Sequence, residues 1–250
     1  MDREHSIVNR LSVGVVINQA FGALFSNFFS FVLVAVAVQI AASVSFYYLL
    51  GPYLASGGGS LMGGLLTVAA AFFLTIVPPS ISAGIIIYGV FRYLQDQPFT
   101  IADCVRAAIG RLGMLILVSL VAGLLIALGL MLFVIPGIIL ALMFAVVGPV
   151  VVVEKQGVGG ALGRSSNLTK SRRLRVFLIF LVTIVLVYIF NFIGTLIGTL
   201  VPGEFPTLIF SSIVSGIGSA FYSVVIVVMY YYLRVDKEGI GIEQIAEVFA

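Results

Sequence analysis

Residues 61–93, LMGGLLTVAAAFFLTIVPPSISAGIIIYGVFRY, carry no charge before Arg92 and place two prolines, Pro78 and Pro79, near their middle. At ~1.5 Å per residue one helix over this run would be about 50 Å long, against a hydrocarbon core of ~30 Å. The stretch is therefore either one long tilted helix kinked at the prolines or two short spans that meet there. That choice sets the number of membrane crossings at six or seven.

Charge placement decides it. All 13 Lys and Arg residues fall in the N-terminal segment, the 92–111 loop, the 155–175 loop or the C-terminal tail. The connections at 51–60, 135–137 and 201–206 contain none. Six spans sort these two sets to opposite sides, as the positive-inside rule requires. Seven would send Arg92, Arg106 and Arg111 to the outer side. The expected spans are about 29–50, 61–93, 114–134, 136–153, 176–200 and 207–233. Pro78 and Pro79 then mark a kink, where a backbone hydrogen bond is lost and a carbonyl is crowded.

Composition agrees with a membrane class. Hydrophobic residues make up 61% of the 250 and charged residues 9%, whereas a soluble domain carries roughly 25% charged. Continuous apolar runs, rather than strict alternation, exclude a transmembrane barrel. The fold class is all-α: a polytopic membrane helix bundle forming a single integral membrane domain. The rule places both termini on the cytoplasmic side of the plasma (inner) membrane. The first long apolar run starts near Phe28 with no small-residue cleavage site behind it, so it reads as a retained anchor.

Shorter amphipathic segments precede the hairpins. Residues 101–112 put Ile101, Cys104, Val105, Ala108 and Leu112 on one helical face, with Asp103 and Arg106 opposite. Thr100 and Asp103 form a capping box at its start. Residues 158–170 repeat the pattern, with Val158, Ala161, Leu162, Ser165 and Leu168 facing away from Arg164, Asn167 and Lys170. Both read as interfacial elbow helices, and a third precedes the first span around Val15 to Phe25. The chain thus parses into three elbow-plus-hairpin repeats, about 1–95, 96–155 and 156–235, with a short tail at 236–250. Small residues at Ser119/Gly123/Ala127, Gly194/Gly198 and Ser212/Gly216/Ala220 are spaced for close helix approach, inside the monomer or in a homo-oligomer.

Chemistry is sparse. The single histidine, His5, excludes a multi-histidine metal site or a histidine-based triad within one chain. One cysteine, Cys104, excludes an internal disulfide. No glycine-rich run sits in a phosphate-binding context, so no enzyme activity, cofactor, metal or nucleic-acid partner is expected. Span centres hold no ionisable residue, which weighs against an ion-driven pump. Their polar groups, Gln39 and Asn191 foremost, together with the carbonyls freed at Pro78 and Pro79, would line any polar path. At the basic end, Arg164, Lys170, Arg172, Arg173 and Arg175 fix topology and are candidate contacts for lipid headgroups. Glu154 and Arg164 are a candidate latch, and Tyr230, Tyr231 and Tyr232 a candidate interfacial belt.

Several of these residues, taken in order, resemble a known family. Ile135-Pro136-Gly137-Ile138, Gly148-Pro149-Val150-Val151-Val152-Val153-Glu154, Ala161-Leu162-Gly163-Arg164-Ser165, Leu168-Thr169-Lys170 and Tyr230-Tyr231-Tyr232-Leu233-Arg234 resemble the glycerophosphoryl diester phosphodiesterase membrane-domain family. Bacterial inner-membrane proteins of undefined function share the pattern. In the family's fused members a cytosolic catalytic domain follows the membrane region. Only a short tail follows Arg234 in this chain, so the resemblance implies the membrane module without the enzyme activity. The expected function is a non-enzymatic membrane protein that engages lipid or a membrane partner through its basic face. A channel or permease for a small or amphiphilic solute, and a scaffold subunit of a membrane complex, are the alternatives.

Overall fold

A bilayer offers no water to backbone amides, so each apolar run closes its hydrogen bonds on itself as a helix. In a computed structural model, residues 12–55 and 61–238 are described. His5, the 56–60 part of the glycine-rich loop and the tail after Glu238 lie outside them. The described helices are α1 (Val13–Ser26), α2 (Phe28–Ala55), α3 (Leu61–Leu94), α4 (Ile101–Leu132), α5 (Val134–Met143), α6 (Val147–Val153), α7 (Val158–Thr169), α8 (Arg173–Gly198) and α9 (Glu204–Glu238). Six segments are long and apolar enough to cross a membrane, α5 and α6 together forming one of them.

The double proline leaves α3 in one piece. Near it, the Ser80 and Ser82 hydroxyls donate to the carbonyls of Ile76 and Pro79 at 2.7 and 3.1 Å. Six crossings stand. The first span also runs past its expected stop, because α2 carries Pro52 inside the helix and ends at Ala55.

Three local readings change. The amphipathic stretch at 101–112 is not a separate elbow: it forms the first turns of α4, and one buried stripe of Cys104, Ala108, Leu115, Val118 and Ala122 runs through both parts. The capping box is present, with Thr100 Oγ1 accepting from the Asp103 amide at 3.2 Å and the Thr100 amide donating to the Asp103 carboxylate at 3.3 Å. The second hairpin turns at Phe133, whose extended backbone separates α4 from α5, and Ile135-Pro136-Gly137 lie inside the first turn of α5. A Cβ on Gly137 would come within 2.7 Å of the Leu130 amide nitrogen. Only glycine lets the two arms meet there.

The third difference is a break in the fourth span at residues 144–146. Pro149 explains it, since a proline ring crowds the carbonyl four residues earlier, here that of Ala145, and supplies no amide hydrogen. The α7 helix repairs the break. Ser165 donates its hydroxyl to the Met143 carbonyl at 2.8 Å and accepts the Val146 amide at 3.3 Å. A buried amide and a half-buried carbonyl are thereby satisfied by one side chain.

Helix α9 runs through the middle of the bundle against α1, α2, α3 and α8. The core gathers toward the basic end: Val16, Phe31, Ile86, Val90, Val118, Val150, Leu168, Val224 and Tyr230 are all buried. At the opposite end, Leu65, Leu66 and Val68 of α3 and Tyr48 and Leu49 of α2 stand exposed. Of the small-residue stripes, Ser212, Gly216 and Ala220 are buried against neighbours. Ser119, Gly123 and Ala127 face away from the bundle.

Candidate functional site

The basic end is assembled by α6, α7, the start of α8 and the last turns of α9. Helix α6 stops at Val153, and Lys155, with φ of 56°, turns the chain into α7. That turn sets Glu154 opposite Arg164, whose Nε donates to both carboxylate oxygens at 3.1 and 2.9 Å. The buried Tyr230 hydroxyl of α9 donates to Glu154 Oε1 at 2.8 Å. Arg164 also pairs through Nη2 with Glu238, which accepts from Arg234 Nε at 2.8 Å one helical turn away. The expected Glu154–Arg164 pair forms, and its network reaches further than two residues.

A second clamp lies beside it. Arg172 donates from Nε and Nη2 to the two oxygens of Asp236 at 2.8 and 3.1 Å. This bidentate geometry is the strong form of a charge-assisted bond, and the bonded carboxylate raises the Arg172 guanidinium above its ordinary pKa. Lys237 donates to the carbonyl and side-chain oxygens of Asn167. The Glu154 and Asp236 side chains are only 13% and 11% exposed. These pairs are less screened than surface pairs, which typically contribute ~0–1 kcal/mol.

The five basic residues proposed for headgroups therefore separate. Arg164 and Arg172 are each paired with carboxylates that tie them to α9. Lys170 is exposed and makes no ion pair among the described residues. Arg173 is half-buried, with an Nε that has no hydrogen-bond partner. Arg175 is half-buried at the start of α8. Tyr230 is part of the core rather than an interfacial belt, while Tyr231 and Tyr232 remain half-buried and meet edge to face.

The expected polar path separates too. Gln39 and Pro79 line a cleft of about 520 Å³ between α2 and α3, together with Ser43 and Thr75. Pro78 and Asn191 are not part of its lining. Asn191 ties α8 to α9 instead, accepting from the Ser215 hydroxyl at 3.3 Å and donating to the Val187 carbonyl at 2.9 Å.

Sequence reasoning missed Ser165, Asp236 and Glu238 as site residues, and it misread the role of Tyr230. One signal was available. Tyr230, Arg234 and Glu238 recur every four residues and so share one helical face. Nothing comparable marks Ser165, because its partners are backbone groups freed by a proline in another helix.

No curated protein and no solved structure matches this chain, and the comparison of families gives no link to a glycerophosphoryl diester phosphodiesterase. One family does match, over residues 99–236, a range that contains the Glu154–Arg164–Tyr230 latch and the Arg172–Asp236 clamp. With more than half of its length covered, the chain belongs to the family described as a domain of unknown function, DUF7847.

Proposed function

We propose that this is a non-enzymatic protein of the plasma (inner) membrane, with cytoplasmic termini, that engages anionic lipid or a membrane partner through its basic end. One observation carries the reading. The carboxylates of Glu154, Asp236 and Glu238 are taken up by Arg164, Arg172 and Arg234, whereas Lys155 and Lys170 are exposed without an ion pair among the described residues. Each such cation near a membrane surface attracts anionic lipid by about 1 kcal/mol. The likeness to the phosphodiesterase membrane-domain family adds only a membrane module to this proposal, and no phosphodiester chemistry. The test is Lys155→Glu/Lys170→Glu/Arg173→Glu, which spares every ion pair described. Anionic lipid retained per mole of purified protein should fall several-fold while insertion is unchanged; undiminished retention would overturn the proposal.

A second reading has its own support. The α2–α3 cleft turns Gln39, Ser43 and Thr75 toward one space beside Pro79, the arrangement a permease for a small or amphiphilic solute would need. Uncharged pathways of this kind are known in channels and transporters. Vesicle flux of polar solutes that responds to Gln39→Leu and Pro79→Ala would support it. No flux above protein-free vesicles would remove it.

A further inference from the structure

Helix α8 stands off from the α4–α5 hairpin, and a groove of about 400 Å³ runs between them. Ile138 and Phe144 form one wall, Phe177, Leu181 and Ile184 the other, and Tyr222 of α9 closes the floor with the lining's one polar side chain. Phe177, Leu181 and Ile184 continue a stripe that begins at Arg173, one turn nearer the basic end. From Arg173 to Ile184 the stripe is ~16 Å long, about half of a ~30 Å hydrocarbon core. The α8 wall of the groove thus lies on the basic side of the bilayer, and Arg173 heads its stripe.

Two cations near the start of that stripe in the chain lack an acidic partner. Lys170 is exposed, with no ion pair among the described residues. Arg173 is half-buried and makes no ion pair among the described residues. The nearby Arg164 and Arg172 are already paired with carboxylates, so Lys170 and Arg173 are the cations without a carboxylate partner that lie within two turns of Phe177 along the chain. We propose that the groove holds one acyl chain of an anionic phospholipid from the basic-side leaflet, with its phosphate against Lys170 and Arg173. This rests on the lipid reading of the basic end and narrows it to one site.

The chain has no Trp, so a single introduced Trp reports its own surroundings. Phe177→Trp places the reporter in the groove. Phe29→Trp, at a side chain 82% exposed near the start of α2, reports ordinary surrounding lipid on the same side. Each protein would be reconstituted in vesicles containing brominated phosphatidylglycerol or brominated phosphatidylcholine, with Trp quenching as the readout. The expected result is a roughly thirtyfold preference for the anionic lipid at Phe177→Trp, absent at Phe29→Trp and abolished by Lys170→Gln/Arg173→Gln. Ile138→Trp on the opposite wall serves as the reporter if Phe177→Trp does not fold. Equal preference at groove and control positions overturns the groove site and leaves the basic-end reading standing. No anionic preference at either position overturns both.

Discussion

Helices α8 and α9 lie side by side and are both long enough to span a membrane, yet the more apolar of the two is on the outside. Over its most apolar stretch α8 buries 17% of its residues, and α9 buries 61%. In water the order would be reversed, since burying apolar surface is the main driving force. Lipid removes that force, so large side chains such as Tyr188 and Phe192 on α8 lose nothing by facing outward. The interior goes to the helix that can be approached closely. Ser212, Gly216, Gly218 and Ala220 give α9 that surface.

The comparison is broken most severely at Gly216. A Cβ there would lie 2.7 Å from Val36 Cα and 3.1 Å from its amide nitrogen, backbone atoms of α2 that cannot turn aside. Gly216→Leu should cost about 3 kcal/mol, at the upper end for overpacking, read as a lowered unfolding midpoint in detergent. Phe192→Leu, at an α8 side chain 66% exposed, should stay within ~0.5 kcal/mol of the parent. Similar losses from the two substitutions would show that α9 is not the packed axis of the bundle.

A smaller effect is expected where α9 is clamped. Glu154→Gln leaves Arg164 facing a neutral amide and weakens the bond from Tyr230. A fully buried pair broken in this way costs ~3–5 kcal/mol. Arg164 keeps 24% of its side chain exposed, so about 2 kcal/mol is expected. Tyr230→Phe in the same background should cost less than it does alone, because both changes act on one carboxylate. Strict additivity in that double-mutant cycle would mean that the latch does not couple α6 to α9.

The smallest effect sharpens the picture of the fourth span. Ser165→Ala removes the hydroxyl that bridges the break at 144–146 and should cost ~1 kcal/mol. With Pro149→Ala alongside, the helix can re-form its own hydrogen bonds, and the loss from Ser165→Ala should shrink. Hydrogen exchange at the Val146 amide reads this directly: it should quicken in Ser165→Ala and slow again in the double variant. Unchanged protection in both would assign the break to some cause other than Pro149.

Much of the site was legible in part. The Glu154–Arg164 latch could be read because the two residues are ten apart and face one another across a short turn. Its completion by Tyr230 and Glu238 was marked only by their four-residue spacing with Arg234, since those partners lie 76 and 74 residues further along the chain. The pairing of Arg164 and Arg172, two of the five candidate headgroup residues, was hidden for the same reason. Arg164 and Arg172 have the same composition-level signature as Lys170, and only the carboxylates of α9 distinguish them. Gly148-Pro149 carried enough information to predict the break in the fourth span, but an unbroken apolar run hid it. Continuity of hydropathy also concealed the fusion of the 101–112 stretch with α4.

By itself, the sequence determined that the chain is a bundle of six spans with its charges gathered at one end. Both results follow from large single-residue costs: a charge in hydrocarbon is expensive wherever it occurs, and about 20 apolar residues suffice to cross. Tertiary structure alone decided which helix lies inside, which cations remain unpaired and where the grooves open. In lipid every apolar helix face is nearly equivalent, so those choices rest on close contacts and ion pairs between distant segments. The double proline shows both sides. Charge placement required one helix through Pro78 and Pro79, and the fold set Pro79 beside Gln39 in a cleft that no pattern in either segment announces.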